Sequence, residues 1–278
     1  FFEVQSFFRE VREYQDVLTA PVHSDVAIFV RLRFSGILPD PAAKPAAGLR
    51  TEMNSAGVFF RAGQSVDILP VDRDFSGYKI VVVPNMIVTD EAFALRLKRY
   101  VAAGGCAVVT YRTAVKDRNN NLTFGKVLPV DCSELLGLHI EETESVQEYD
   151  CIPLISDNGS GTAGIFRDMI VPDRAEVLYR YNDTFYQQYA AITRNELGEG
   201  RAYYLGTTPD AAILEQVLGE AMTWAGLTVE HLRRGGTGHP QQQRAHGAFC
   251  AQPQRECCHR PGPDPGAFEV QALSLSYR

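Results

Sequence analysis

Apolar side chains near the start of the chain recur at helical spacing. Val4, Phe7, Phe8, Val11 and Leu18 alternate with Glu3, Arg9, Glu10, Arg12 and Glu13. The spacing predicts an amphipathic helix over residues 3–18, stopped before Pro21 and docking its apolar face on another surface. The period then changes. Val26 to Val30 is an unbroken apolar run rich in β-branched residues, the pattern of a strand buried on both faces of a parallel sheet. Residues 31–48, with Pro39, Pro41 and Pro45 among Gly and Ala, read as an irregular loop. A helical stretch near 49–62 leads to two short apolar strands, 66–69 and 80–83, the second ending at Pro84. Asp90 stands where an N-cap belongs, before a helix that runs to about Ala103 and is ended by Gly104 and Gly105. Cys106 to Tyr111 follows at once as another strand. Strand, strand, helix, strand with short connections predicts a doubly wound α/β sheet with right-handed crossovers.

Downstream the pattern becomes mixed. Asp117 to Asn121 is polar and turn-like, Ser133 to Gly137 reads as a short helix, and His139 to Thr143 as an edge strand. Residues 157–164, rich in Gly and Ser, read as a loop. Strands are expected over 177–181, 189–193 and 202–205, with Gly198 and Gly200 supplying a turn that makes the last pair antiparallel. Pro209 to Ala225 then reads as a helix carrying Ile213, Val217, Leu218 and Met222 on one face. From Arg233 to about Ala267, Gly, Pro, Gln and Arg show no apolar period, and the fragment Val270 to Leu275 comes too late to build a core. Residues 233–278 are therefore expected to be disordered or aberrantly translated. The chain has no internal repeat.

Composition narrows the function classes. At 45% hydrophobic and 22% charged, 278 residues can bury a sizeable core. A formal net charge of -7 and a pI near 5.4, without a basic stripe, argue against a nucleic-acid partner. No apolar run reaches the roughly 18 residues of a membrane span, and no signal peptide opens the sequence, so a cytoplasmic setting without a membrane partner is expected. The six cysteines are spaced too unevenly for a secreted disulfide framework. A start at Phe1, running directly into an amphipathic pattern, predicts that residues 1–24 are a linker from an upstream part of a longer polypeptide.

Several residues invite chemistry. Cys106 is the candidate thiol nucleophile, but it opens a strand after Gly104 and Gly105 instead of standing at a strand's end, which favours a buried structural thiol. Glu141, Glu142 and Glu144 could supply the paired carboxylates of a glycosidase, yet clustered acids on an edge strand more often form a solvated face or block edge pairing. His246, Cys250, Cys257, Cys258 and His259 lack metal-ligand spacing, and neither metal nor cofactor is expected. Tyr179, Tyr181, Phe185, Tyr186 and Tyr189 could stack on sugar rings, or simply belong to core or interface. Arg112, Lys116 and Asp117 follow a strand's carboxyl end, where open α/β sheets place ligand and partner contacts. They are the candidate contact to a neighbouring subunit or another domain, against the alternative of plain exposed charges.

The segments Ser65 to Pro70 (SVDILP), Asp74 to Pro84 (DFSGYKIVVVP), Tyr100 to Thr113 (YVAAGGCAVVTYRT) and Arg194 to Thr208 (RNELGEGRAYYLGTT), with Leu135 to Leu138 (LLGL), resemble the middle domain of family 42 glycoside hydrolases, the β-galactosidases. The resemblance spans about residues 25–225. It departs at 31–48, which lacks an aromatic-rich turn, and beyond Arg233, where the family has a small β domain. It implies a class I glutamine amidotransferase-like (flavodoxin-like) fold without amidotransferase chemistry, mostly parallel with added antiparallel strands, over residues 25–232. It implies a homotrimer-forming role. Hydrolysis of terminal β-galactosides would then belong to an N-terminal (β/α)8 barrel, about 250 residues long, whose acid/base and nucleophile glutamates have no counterpart here. Galactoside would be a substrate of the full-length enzyme only, and the chain's partners would be its own copies and that barrel. Two other readings stay open: an amidotransferase-type thiol enzyme, and a carbohydrate-binding module.

Overall fold

The computed structural model describes residues 2–20, 22–30, 47–123, 125–146, 150–157 and 159–229. The amphipathic start forms two helices, α1 (Phe2–Glu13) and the short α2 (Gln15–Leu18), separated by a turn at Tyr14 instead of the single helix expected. Neither buries a residue, and Phe7 and Phe8 stay exposed.

The parallel half follows the apolar runs closely. Strands β1 (Val26–Val30), β2 (Val66–Pro70), β3 (Ile80–Val83) and β4 (Cys106–Thr110) alternate with α3 (Ala47–Arg61) and α4 (Glu91–Ala102). Parallel pairing gives the order β2, β1, β3, β4, and β11 (Gly200–Leu205) joins beside β4 as a fifth parallel strand. Alternate residues serve opposite faces. Val26, Ile28, Ile80 and Val82 face a core with Val58 and Phe59 of α3 and with α6 (Ala211–Trp224), while Ala27, Phe29, Val81 and Val83 face α4. All four side chains of β3 are fully buried. At roughly 25 cal/mol per Å² of apolar surface, burying both faces is the main force holding this half together. The Asp90 carboxylate accepts the Phe93 N–H at 2.8 Å, the expected cap of α4.

The rest is antiparallel, and here two expectations fail. After the one-turn helix α5 (Ser133–Leu136), closed by Gly137 in the left-handed region at φ 64, the chain forms β5 (Leu138–Ser145), β6 (Ile152–Ser156), β7 (Gly159–Gly164), β8 (Phe166–Pro172), β9 (Glu176–Tyr181), β10 (Ala190–Leu197), β11 and the two-residue β12 (Thr208–Pro209). Among the described residues the sheet has twelve strands, of which only the five above run parallel to a neighbouring strand, so it is mixed and not mostly parallel. Residues 159–164 of the expected loop are a strand: β7 pairs with β6 in register from Ile152 opposite Ala163 to Ser156 opposite Gly159. Its glycines have a packing cause. A side chain at Gly161 would stand 2.6 Å from Ile213 Cδ1 and 2.7 Å from Asp210 Oδ2. The bare backbone lets the start of α6 approach, with Thr162 N–H donating to Asp210 Oδ2 at 2.7 Å and Asp210 N–H to the Thr162 carbonyl at 2.8 Å. Residues 31–46 of the expected loop, and the tail from 233, lie outside the described residues.

The β10–β11 turn is equally tight. A Cβ at Gly200 would lie 1.8 Å from the Val101 carbonyl oxygen and 2.5 Å from that of Gly105, both backbone atoms that a side chain cannot push aside. Gly200→Ala should destabilise the chain by about 2 kcal/mol or more, read as a lower urea midpoint. Gly219→Ala in α6, where a methyl meets nothing within 4 Å, is the control and should raise the midpoint slightly.

Candidate functional site

At the carboxyl end of β4 the chain turns sharply, and the turn holds two non-glycine residues in the left-handed region, Arg112 at φ 58 and Ala114 at φ 61. Each costs on the order of 1 kcal/mol, so the surroundings must impose the geometry. They do so through backbone bonds, Ala114 N–H to the Met86 carbonyl at 2.9 Å and Val130 N–H to the Ala114 carbonyl at 2.9 Å, and through one buried carboxylate. Asp168 of β8 is fully buried. Its Oδ2 accepts the Tyr204 hydroxyl at 2.6 Å and the Arg112 N–H at 3.3 Å, and its Oδ1 accepts the Thr143 hydroxyl at 2.7 Å. The Tyr181 hydroxyl donates to the Asp168 carbonyl at 2.9 Å. Asp168 thus ties β5, β8 and β11 to the turn after β4. Burial pushes its carboxyl above the usual range, against the opposing pull of the Tyr204 and Thr143 hydroxyls. Burial, reinforced by the charge of Asp168, pushes Tyr204 well above an ordinary phenol.

The expected contact residues divide into two groups. The Arg112 guanidinium lies 5.0 Å from the centre of the Phe166 ring, and its Nε is buried without an acceptor. Lys116 and Asp117 direct their side chains into their own turn, while the Lys116 backbone pairs with residues 87–89. Lys116 Nζ donates to Asn120 Oδ1 at 3.0 Å, and Asp117 Oδ1 accepts the N–H groups of Asn119 and Asn121 at 2.9 and 2.8 Å. The Asn121 N–H holds the Asp117 carboxyl below its ordinary range. The nearly buried Arg167 is bonded to Glu144 Oε2 at 2.9 Å and stacked 3.6 Å from the Tyr186 ring centre, while its Nε, like that of Arg112, has no acceptor. Neither Asp168 nor Arg167 was singled out from the sequence. The only signal was a charged pair inside the otherwise apolar run Phe166 to Pro172.

Comparison with known proteins decides what this frame is. Residues 57–228 match the family described as the β-galactosidase trimerisation domain. The chain belongs to that family. Relatives of the trimerisation domain include β-galactosidase LacA of Lactobacillus acidophilus, 29% identical over 169 residues that make up 61% of this chain and 25% of LacA. β-Galactosidase BglY of Alicyclobacillus acidocaldarius is 25% identical over 237 residues, 82% of this chain and 34% of BglY. Among solved structures, β-galactosidase from Bacillus circulans sp. alkalophilus superposes with a TM-score of 0.72 at 25% identity, over 80% of this chain and 34% of that one. The chain therefore spans about a quarter to a third of the length of these relatives.

The remaining candidates each have a definite place in the structure. Cys106 sits at the amino end of β4, the end opposite Arg112, and is fully buried. Burial pushes its thiol up to about 12, so at neutral pH it is not the thiolate that an amidotransferase needs, and the thiol-enzyme reading falls. Glu141 accepts the Tyr189 hydroxyl at 2.7 Å and Glu144 pairs with Arg167, both on the face of β5. Two hollows, one of about 10 Å³ at Thr110 and Thr207 and one of about 340 Å³ at Lys79 and Gly104, have no carboxylate in their walls, and a glycosidase needs two. Of the aromatic group, Tyr179 and Tyr181 are core, Tyr186 lies under Arg167 and Tyr189 is bonded to Glu141. Phe185 alone is well exposed, at 79%. The cysteines and histidines of the tail lie outside the described residues.

Because its carboxyl is held above the model-compound value of 3.8, Asp168 binds its proton more tightly folded than unfolded. Its contribution to stability falls as pH rises from that value through the raised one, the reverse of a salt-bridged carboxylate. Asp168→Asn removes the titration and turns an amide toward donors, costing about 1–3 kcal/mol. Urea melts across pH 4–8 should show the gap between wild type and variant narrowing as pH rises.

Proposed function

We propose that this chain is the assembly domain of a longer β-galactosidase, holding three copies together while hydrolysis of terminal β-galactosides takes place elsewhere in the polypeptide. The observation that carries this reading is the family match across residues 57–228. It is supported by walls without carboxylates in the two hollows and by a buried, protonated thiol. The acid/base and nucleophile glutamates would belong to a barrel domain. The exposed apolar face of α1, with Phe7 and Phe8, would rest on that barrel as the end of a linker. We read the frame as class I glutamine amidotransferase-like and doubly wound in its parallel part. The strand order β2, β1, β3, β4, β11 and the helices on both faces support that reading. The segment holding Arg112, Lys116 and Asp117, at the carboxyl end of a central strand, is the contact to a neighbouring subunit or barrel.

Sedimentation equilibrium of the purified chain should give three times the 30.8 kDa chain mass, and nitrophenyl galactoside should not be turned over. A monomer at every concentration would remove the assembly role. Turnover would remove the division of labour between this domain and a barrel.

A further inference from the structure

Resting on the assembly reading, we propose that Arg112 is the residue that grips a carboxylate of a second copy of this chain. The argument begins with what the arginine lacks. A guanidinium carries five N–H donors in a fixed fork, and the other well-packed arginines of this sheet each direct terminal N–H groups at an acid, although the Nε of Arg167 and of Arg201 also lacks an acceptor. Arg167 is paired with Glu144, Arg194 with Glu176 and Glu220, and Arg201 with Glu196. Arg112 has no acceptor among the described residues, and its Nε is buried. Asp168 does not fill the gap, because its oxygens are taken by the hydroxyls of Tyr204 and Thr143 and by the backbone N–H of Arg112.

The fork is also held in place before any partner arrives. The left-handed backbone at φ 58 sets the direction in which the side chain leaves the turn. The Asp168 carboxylate clamps that backbone from beneath, and the Phe166 ring lies against the guanidinium. Phe166 is itself steadied by Tyr111, with ring centres 5.4 Å apart. A planar cation fixed in this way loses little freedom on binding, which is the property that makes arginine an anchor at the centre of interfaces. The partner's chemistry follows from the fork, which matches a carboxylate in two parallel hydrogen bonds. The chain itself supplies such partners: its 34 acidic residues outnumber its 27 lysines and arginines, for a net charge of -7.

The test uses the full chain as wild type, Arg112→Asn and Arg112→Lys. Asparagine tolerates the left-handed backbone, so the turn survives without the fork, and a thermal melt checks that each variant is folded. Sedimentation equilibrium over a wide concentration range should show the wild type trimeric. R112N should need at least tenfold more protein to assemble, and R112K should recover only part of the loss, because a point charge cannot make the paired bonds. If R112N, or R112K should R112N not fold, assembles at the concentrations of the wild type, the proposal is overturned while the trimer stands, and the fork answers to another surface such as the barrel. If the wild type itself never assembles, the assembly reading falls with it.

Discussion

Strand β11 is where the two halves of the sheet meet, and each half depends on it. A strand has two hydrogen-bonding edges, and β11 gives one to the parallel neighbour β4 and the other to the antiparallel neighbour β10. The two directions of pairing need different connections. A parallel pair requires a crossover such as α4, whereas β10 reaches β11 through a turn at Gly198, which adopts φ 62. The turn must also clear the end of α4, where the Val101 and Ala102 carbonyls approach too closely for any side chain at Gly200 or Gly198. Tyr204 extends the same seam into the polar interior by donating to Asp168.

What could be read from the sequence follows from how completely each element is buried. Strands β1, β3 and β4 are covered on both faces, so their apolar runs are continuous and left little choice of interpretation. Asp90 marked α4 because an N-cap is a local device, visible without knowledge of tertiary structure. The Gly198 turn was legible for the same reason. In contrast, β7 was hidden, since glycine at 161 records the approach of a helix almost fifty residues later in the chain. Local pattern cannot distinguish that from a flexible loop. Underestimating the antiparallel half followed from the same blind spot.

The candidate site shows a similar division. Position after a strand's carboxyl end was enough to mark Arg112, and the structure does place it in an unusual turn. Position said nothing about the side chains of Lys116 and Asp117 being spent on their own loop. Asp168 escaped notice because an acid in a strand ordinarily faces water, and only the convergence of β5, β8 and β11 buries it. With Cys106 the residue type suggested chemistry and the location removed it. At the amino end of β4, with its thiol driven up by burial, it packs as a small apolar side chain.

The carboxylate of Asp210 has a consequence for how the domain can change. One oxygen caps α6 through the Ile213 N–H at 3.0 Å and the other holds the Thr162 N–H of β7 at 2.7 Å. A helix that covers the parallel strands and a hairpin on the far side of the sheet therefore share a single acid. Neither can be exchanged for a foreign segment, or shifted by one residue, without unseating the other.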